Sequence, residues 1–136
     1  MIALLSIKPE FASRIFDGTK KFEYRKIIFK QDVTRVVVYA SAPVSMVIGE
    51  FNVERILHDK IDNLWQETQH ESGISEAFFY AYFSKHSDGY AIVIGDVTQY
   101  IEPYKLQENL GFHPPQSFVY LSCPVKPNRT NLTLGM

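Results

Sequence analysis

The run Val36-Val37-Val38-Tyr39 leaves this chain little freedom. Its β-branched and aromatic side chains favour an extended backbone, and its apolar character is continuous enough to be buried on both faces. A strand of that kind needs neighbours. Ala3–Ile7 supplies one short apolar run. Met46–Leu57 supplies another, with Val47, Gly49, Phe51 and Val53 on one face, and Gly49 inside it marks a bulge or a close backbone approach. Tyr90–Val97 is a further strand that Thr98–Ile101 extends past a bend at Gly95-Asp96. Phe118–Leu121 reads as a closing strand. Lys21–Ile28 alternates at its start, so that Phe22 and Tyr24 point to the core while Glu23 and Arg25 share the opposite face.

Helices interrupt this pattern at two places. Pro9 suits a first helical turn, where its missing N–H is no loss. Phe11, Ala12, Ile15 and Phe16 then recur at helical spacing until Gly18, a stop residue able to adopt a left-handed conformation. Further on, Ile61, Leu64, Trp65 and Thr68 form one helical stripe. Ser75 is an N-cap for a second helix with Ala77, Phe78, Ala81 and Tyr82 on its apolar face. At this spacing Trp65 and the Phe78/Phe79/Tyr82/Phe83 group read as core. Strict βαβ alternation is absent, which excludes a doubly wound sheet and favours an α+β fold, a mixed sheet curled into a small barrel.

With 136 residues, of which 46% are hydrophobic and 14% aromatic, the chain fits one packed domain. Residues 1–122 are assigned to it and 123–136 to a C-terminal tail, loose from about Lys126. The lone Cys123 allows no internal disulfide, and no Cys/His spacing points to zinc; no metal or cofactor is expected. No apolar run reaches the roughly 18 residues of a membrane helix. Met1–Leu5 lacks the basic leader of a secretion signal, so a cytoplasmic protein is expected. The net charge of −1 hides an asymmetry: residues 1–35 hold eight bases against four acids, and the rest six against eleven. A concentrated basic segment attracts phosphate whatever the total charge.

Most of the chemistry sits in Gly18-Thr19-Lys20-Lys21-Phe22-Glu23-Tyr24-Arg25. Gly18 reverses the chain and aims Lys20 across the strand ends. Glu23, held ionised by the neighbouring cations, orients Lys20 and Arg25 in turn. The segment resembles the G-x-K-x-x-E-x-R signature of ASCH domains, relatives of the PUA RNA-binding fold. Ser6-Ile7-Lys8-Pro9, Tyr39-Ala40-Ser41, Gly49-Glu50 and Pro114-Pro115-Gln116-Ser117-Phe118 resemble the same family in the same order, to about Leu121. The resemblance implies a PUA-like small mixed β-barrel with a helix after the first strand and an inserted helical pair, as in longer family members.

It also implies a basic cleft that takes RNA or a modified nucleotide. Lys8, Lys20 and Arg25 are expected to contact phosphate, with Glu23 and Tyr39 reading base or sugar and Ser41 and Gln116 beside them. Glu50 either points into this cleft or is a plain surface carboxylate. The four histidines fall in expected loops or helix ends and are expected to face solvent. The alternative is a hydrolase on the same cleft, an N4-acylcytidine amidohydrolase or a ribonuclease, with Lys20 and Glu23 catalytic. The family's amidohydrolases carry a threonine nucleophile three residues after the lysine. This chain has Glu23 there, which suits a general base better than a nucleophile and shifts the expectation toward recognition.

Overall fold

The computed structural model describes residues 1–106 and 113–122, together with the backbone of 131–134. β1 (Ile2–Ile7) runs into α1 (Pro9–Asp17), with Pro9 in the first turn. Gly18 ends the helix at φ 88°, and its N–H reaches the Ile15 carbonyl at 3.3 Å. β2 (Phe22–Arg25), β3 (Arg35–Ala40) and β4 (Met46–Lys60) follow. At the end of β4 stand α2 (Ile61–Thr68), a 3₁₀ turn (Gln69–Glu71) and α3 (Glu76–Tyr82). β5 (Asp88–Tyr104), β6 (Phe118–Leu121) and β7 (Asn131–Leu134) complete the order.

The sheet runs β2-β5-β4-β3-β1-β6, with β7 on β5. β3 sits inside it, parallel to β1 and antiparallel to β4. Val36, Val37 and Val38 are at most 2% exposed, so this valine run is covered on both faces. Val36, Val38 and Ala40 pack with Ala3, Leu5, Ile15 and Phe16 in the principal core. Val37 and Tyr39 point the other way, into a cluster with Leu4, Val47, Tyr100 and Tyr104. Gly49 is a close approach, as expected. A Cβ there would stand 2.5 Å from a Phe16 ring carbon and 2.6 Å from the Thr98 carbonyl oxygen.

β4 and β5 extend beyond their expected ends. β3 pairs with β4 only as far as Asn52, while β5 gains β2 along Tyr90–Val93. The outer halves of β4 and β5 pair from Arg55↔Val93 to Lys60↔Asp88, and Arg55, His58 and Lys60 are exposed there. β5 also continues through Glu102-Pro103, where an irregular connection is expected, to pair Tyr104 with Val47.

The inserted helices fold back on this end. Leu64, Trp65, Phe79 and Phe83 join Phe22, Tyr24, Ala91 and Val93 in a third cluster. Ser75 caps α3, its hydroxyl accepting from the Phe78 N–H at 3.0 Å. The buried face of α3 differs from the expected one. Phe79 and Phe83 are 0% and 2% exposed, whereas Ala77 and Ala81 face solvent and Phe78 and Tyr82 are half-buried. The cause is ring packing: Phe79 meets Tyr24 at 5.1 Å and Trp65 at 4.8 Å, which fixes the helix by its 79/83 edge.

Cys123 and residues 126–130 lie outside the described residues. Asn131–Leu134, expected in a loose tail, pair antiparallel with Val97–Tyr100 of β5. β2 leaves that edge of β5 open, because its own pairing stops at Val93. Among the described residues no helix is long and apolar enough to cross a membrane.

Candidate nucleic-acid interface

The expected curl of the sheet stops short of a closed hydrogen-bonded barrel: among the described residues no ladder joins the β2 and β6 edges. A side chain bridges β2 to β1 instead. One terminal nitrogen of Arg25, at the end of β2, donates to the Ser6 carbonyl of β1 at 3.0 Å and to Glu23 Oε2 at 2.9 Å. A cavity of about 530 Å³ opens along this seam. It falls in the size range of pockets that hold a small ligand, roughly 300–1,000 Å³.

Six of the seven residues expected in the site line this cavity: Lys8, Lys20, Glu23, Arg25, Ser41 and Gln116. Each arrives by a local cause. Gly18 reverses the chain, and the Lys20 N–H bonds the Arg14 carbonyl at 2.9 Å. The Ser41 N–H bonds the Ile7 carbonyl at 3.0 Å, which brings the end of β3 beside Lys8. Ser6 holds the loop at the mouth: its hydroxyl donates to Pro115 O at 2.6 Å and its N–H to Ser117 O at 3.2 Å. Gln116 is exposed on that loop.

Lys20 is the least ordinary member, being 1% exposed. Its ammonium donates to the Ser72 carbonyl at 2.9 Å, lies 3.9 Å from Glu23 Oε1, and sits 4.9 Å from the Tyr24 ring centroid and 5.4 Å from that of Phe11. Burial pulls its pKa down to about 8; Glu23 resists that change, and Arg14 and Arg25 add to it. Arg25 differs in another way. Its buried Nε has no hydrogen-bond partner among the described residues, although a buried guanidinium nitrogen is normally satisfied. The carboxylate thus stands between a donor committed to the fold and a donor with capacity to spare.

Tyr39 is not part of this site. It is 7% exposed and packs with Leu4, Val37 and Val47, because strand alternation turns it away from the face of Val38 and Ala40. Glu50 is not in the cleft either: it pairs with Arg35 Nε at 3.2 Å and accepts from the Tyr100 hydroxyl at 2.8 Å. The four histidines are exposed and none lines the cavity. His58, placed on β4 rather than in a loop, pairs with Asp88 and stacks on Tyr90 at 4.2 Å. Among the described residues no group of His, Cys, Asp and Glu could hold a metal ion.

Among the lining residues that the sequence reading did not assign to the site are Phe11, Lys26, Phe78 and Tyr82. The Phe78/Tyr82 spacing of four was visible, but Phe79/Phe83 has the same spacing and the pattern does not choose between them. Lys26 follows directly on the signature and lies at the mouth because β2 ends at Arg25.

Comparison with known proteins places these features in a wider group. The profile of the ASCH domain matches residues 5–115. An ASCH domain-containing ribonuclease from Zymomonas mobilis is 33% identical over 124 residues, which cover 88% of this chain and 83% of that protein. The crystal structure of the ASCH protein from Zymomonas mobilis superposes with a TM-score of 0.80 at 31% identity, covering 88% of this chain and 87% of that one. An ATP synthase subunit alpha from Ureaplasma parvum is 30% identical over 119 residues, and the chain spans only 15% of its length.

Proposed function

Since the chain belongs to the ASCH domain family, we propose that it binds RNA by holding one nucleotide in the seam between β1 and β2. The observation that carries this reading is Arg25, a 10% exposed guanidinium that lines the cleft with a buried, unpaired Nε. Planar guanidinium groups bind phosphate through paired N–H donors, and an orphaned donor calls for an acceptor from outside. Glu23, fixed by Arg25, presents a carboxylate that accepts from a base amino group or a ribose hydroxyl. Lys8 adds positive charge at the mouth. The cavity admits a single unpaired nucleotide and is too small for a duplex.

The reading is tested by fluorescence anisotropy with a labelled single-stranded oligoribonucleotide. Binding is expected to weaken steeply with added salt, because phosphate contacts release counterions, and to be lost in Arg25→Ala. Affinity that is insensitive to salt and to Arg25→Ala would refute it.

A second reading, cleavage of the bound RNA, is favoured by Lys20 and by the relative named a ribonuclease. Glu23 would take the proton of the attacking 2′-hydroxyl, while Lys20 and Arg25 would stabilise the charge that builds on the phosphate. Incubation with labelled RNA, and separately with N4-acetylcytidine, with Lys20→Ala as the control, separates binding from either hydrolysis.

A further inference from the structure

α3 and its C-cap residue carry two aromatic pairs, and only one of them is fully buried. Phe79 and Phe83 are fully buried in the cluster that holds Tyr24 and Trp65. Phe78 and Tyr82 are half-buried and line the cleft wall facing Arg25 and Glu23. Their rings lie within 10° of parallel with centroids 6.5 Å apart, and Phe11 braces Phe78 edge-on at 5.0 Å. Each ring also has a cation: Lys8 Nζ is 5.2 Å from the Phe78 centroid and Lys26 Nζ is 4.6 Å from that of Tyr82. Neither ammonium has a carboxylate within 4.0 Å among the described residues.

We infer that Phe78 and Tyr82 are the platform on which the nucleobase stacks, with Lys8 and Lys26 at its two ends holding the flanking phosphates. The inference rests on the RNA reading above and extends it by naming the base-contact residues. Two near-parallel aromatic faces suit a flat π-system rather than a branched aliphatic group. Two unpaired ammonium groups beside them suit a ligand with negative charge on both sides of that ring. A nucleotide within a strand has this distribution, with one phosphate on each side of its base. The platform accepts any base, because every base presents a π-face; discrimination is left to Glu23 and Gln116 across the cleft.

The test compares an oligoribonucleotide with an otherwise identical strand carrying one abasic site, using the full chain. Wild type is expected to prefer the intact strand. Phe78→Leu and Tyr82→Leu, which keep apolar bulk and remove the ring, are expected to weaken intact RNA by roughly 5- to 150-fold, the range of one lost base–aromatic stack. The same variants are expected to leave the abasic strand unchanged. A strand with 2-aminopurine at that position should lose fluorescence on binding wild type, a readout independent of how the variants fold. Equal affinity for intact and abasic strands, or unquenched 2-aminopurine in the bound complex, overturns the platform while leaving RNA binding standing. Failure of wild type to bind either strand overturns the RNA reading itself.

Discussion

Replacing Lys20 with methionine is expected to stabilise the protein at neutral pH, an unusual outcome for removal of a site residue. The ammonium is 1% exposed, and burial lowers its pKa from 10.5 to about 8. At pH 7 the folded protein therefore holds a charge that its surroundings disfavour. At about 1.4 kcal/mol per pH unit, the cost is roughly 3 kcal/mol. Methionine has similar length and no charge. It forfeits the 2.9 Å bond to the Ser72 carbonyl, worth about 1–2 kcal/mol. Glu23 keeps Arg25 at 2.9 Å, so no bare buried carboxylate is left behind. The net expectation is a gain of about 1–2 kcal/mol at pH 7.

The pH dependence makes this prediction specific. Between about pH 8 and 10.5 the unfolded chain still binds the Lys20 proton and the folded chain does not, so wild-type stability rises with pH. The penalty is complete below about pH 8 and fades above it. Lys20→Met lacks the group, so its advantage should shrink by about 1.4 kcal/mol per pH unit above pH 8. Other titrations are common to both proteins and cancel in the difference. Urea unfolding at about pH 7, 8 and 9.5, followed by the fluorescence of the single Trp65, measures the gap directly. A gap that is constant from pH 7 to 9.5, or a variant less stable than wild type at pH 7, would refute the reasoning.

Gly49→Ala is expected to destabilise by about 1–3 kcal/mol, read as a lower melting temperature, since the new Cβ would meet Phe16 and the Thr98 carbonyl, and the latter is backbone. Ser75→Ala removes the α3 cap and should cost about 1 kcal/mol in the same assay. Arg25→Lys keeps the charge but loses Nε and the second terminal nitrogen of the guanidinium, the donors left over for phosphate; RNA affinity in the anisotropy assay should fall about tenfold or more.

The elements were legible wherever burial imposes a period. Pro9 and Gly18 bracket α1, and the Val36–Tyr39 run marks the inner strand, because backbone geometry and two-sided covering select those residues. The outer half of β4 was not legible past Leu57: with one side of the ribbon wet, Asp59 and Lys60 look like loop. The core of the site was legible in its signature, since Glu23 and Arg25 two apart on a strand must share a face. Tyr39 was misplaced because an apolar run covered on both faces carries no record of which side each residue takes. The Phe78/Tyr82 wall was missed for a related reason. Five aromatics in the six residues 78–83 include two equivalent helical stripes, Phe78/Tyr82 and Phe79/Phe83, and only contact with Tyr24 and Trp65 decides which one goes inward.

Lys60 and Asp88 face each other in register, and the Ile61 N–H bonds the Ser87 carbonyl at 3.3 Å. Everything between them, both inserted helices included, leaves and re-enters the sheet through a neck one residue pair wide. The segment therefore behaves as a cassette. Its exposed positions can change without touching the strand pairing, whereas Thr68, Ser72, Phe79 and Phe83 are tied to Lys20 and Tyr24 beside the site. The half-buried face of α3 that lines the cleft, Phe78 and Tyr82, can then vary separately from Arg25 and Glu23 on β2. A segment grafted across the same neck must therefore keep the Ser72 carbonyl for Lys20 and the Trp65 and Phe79 rings for Tyr24.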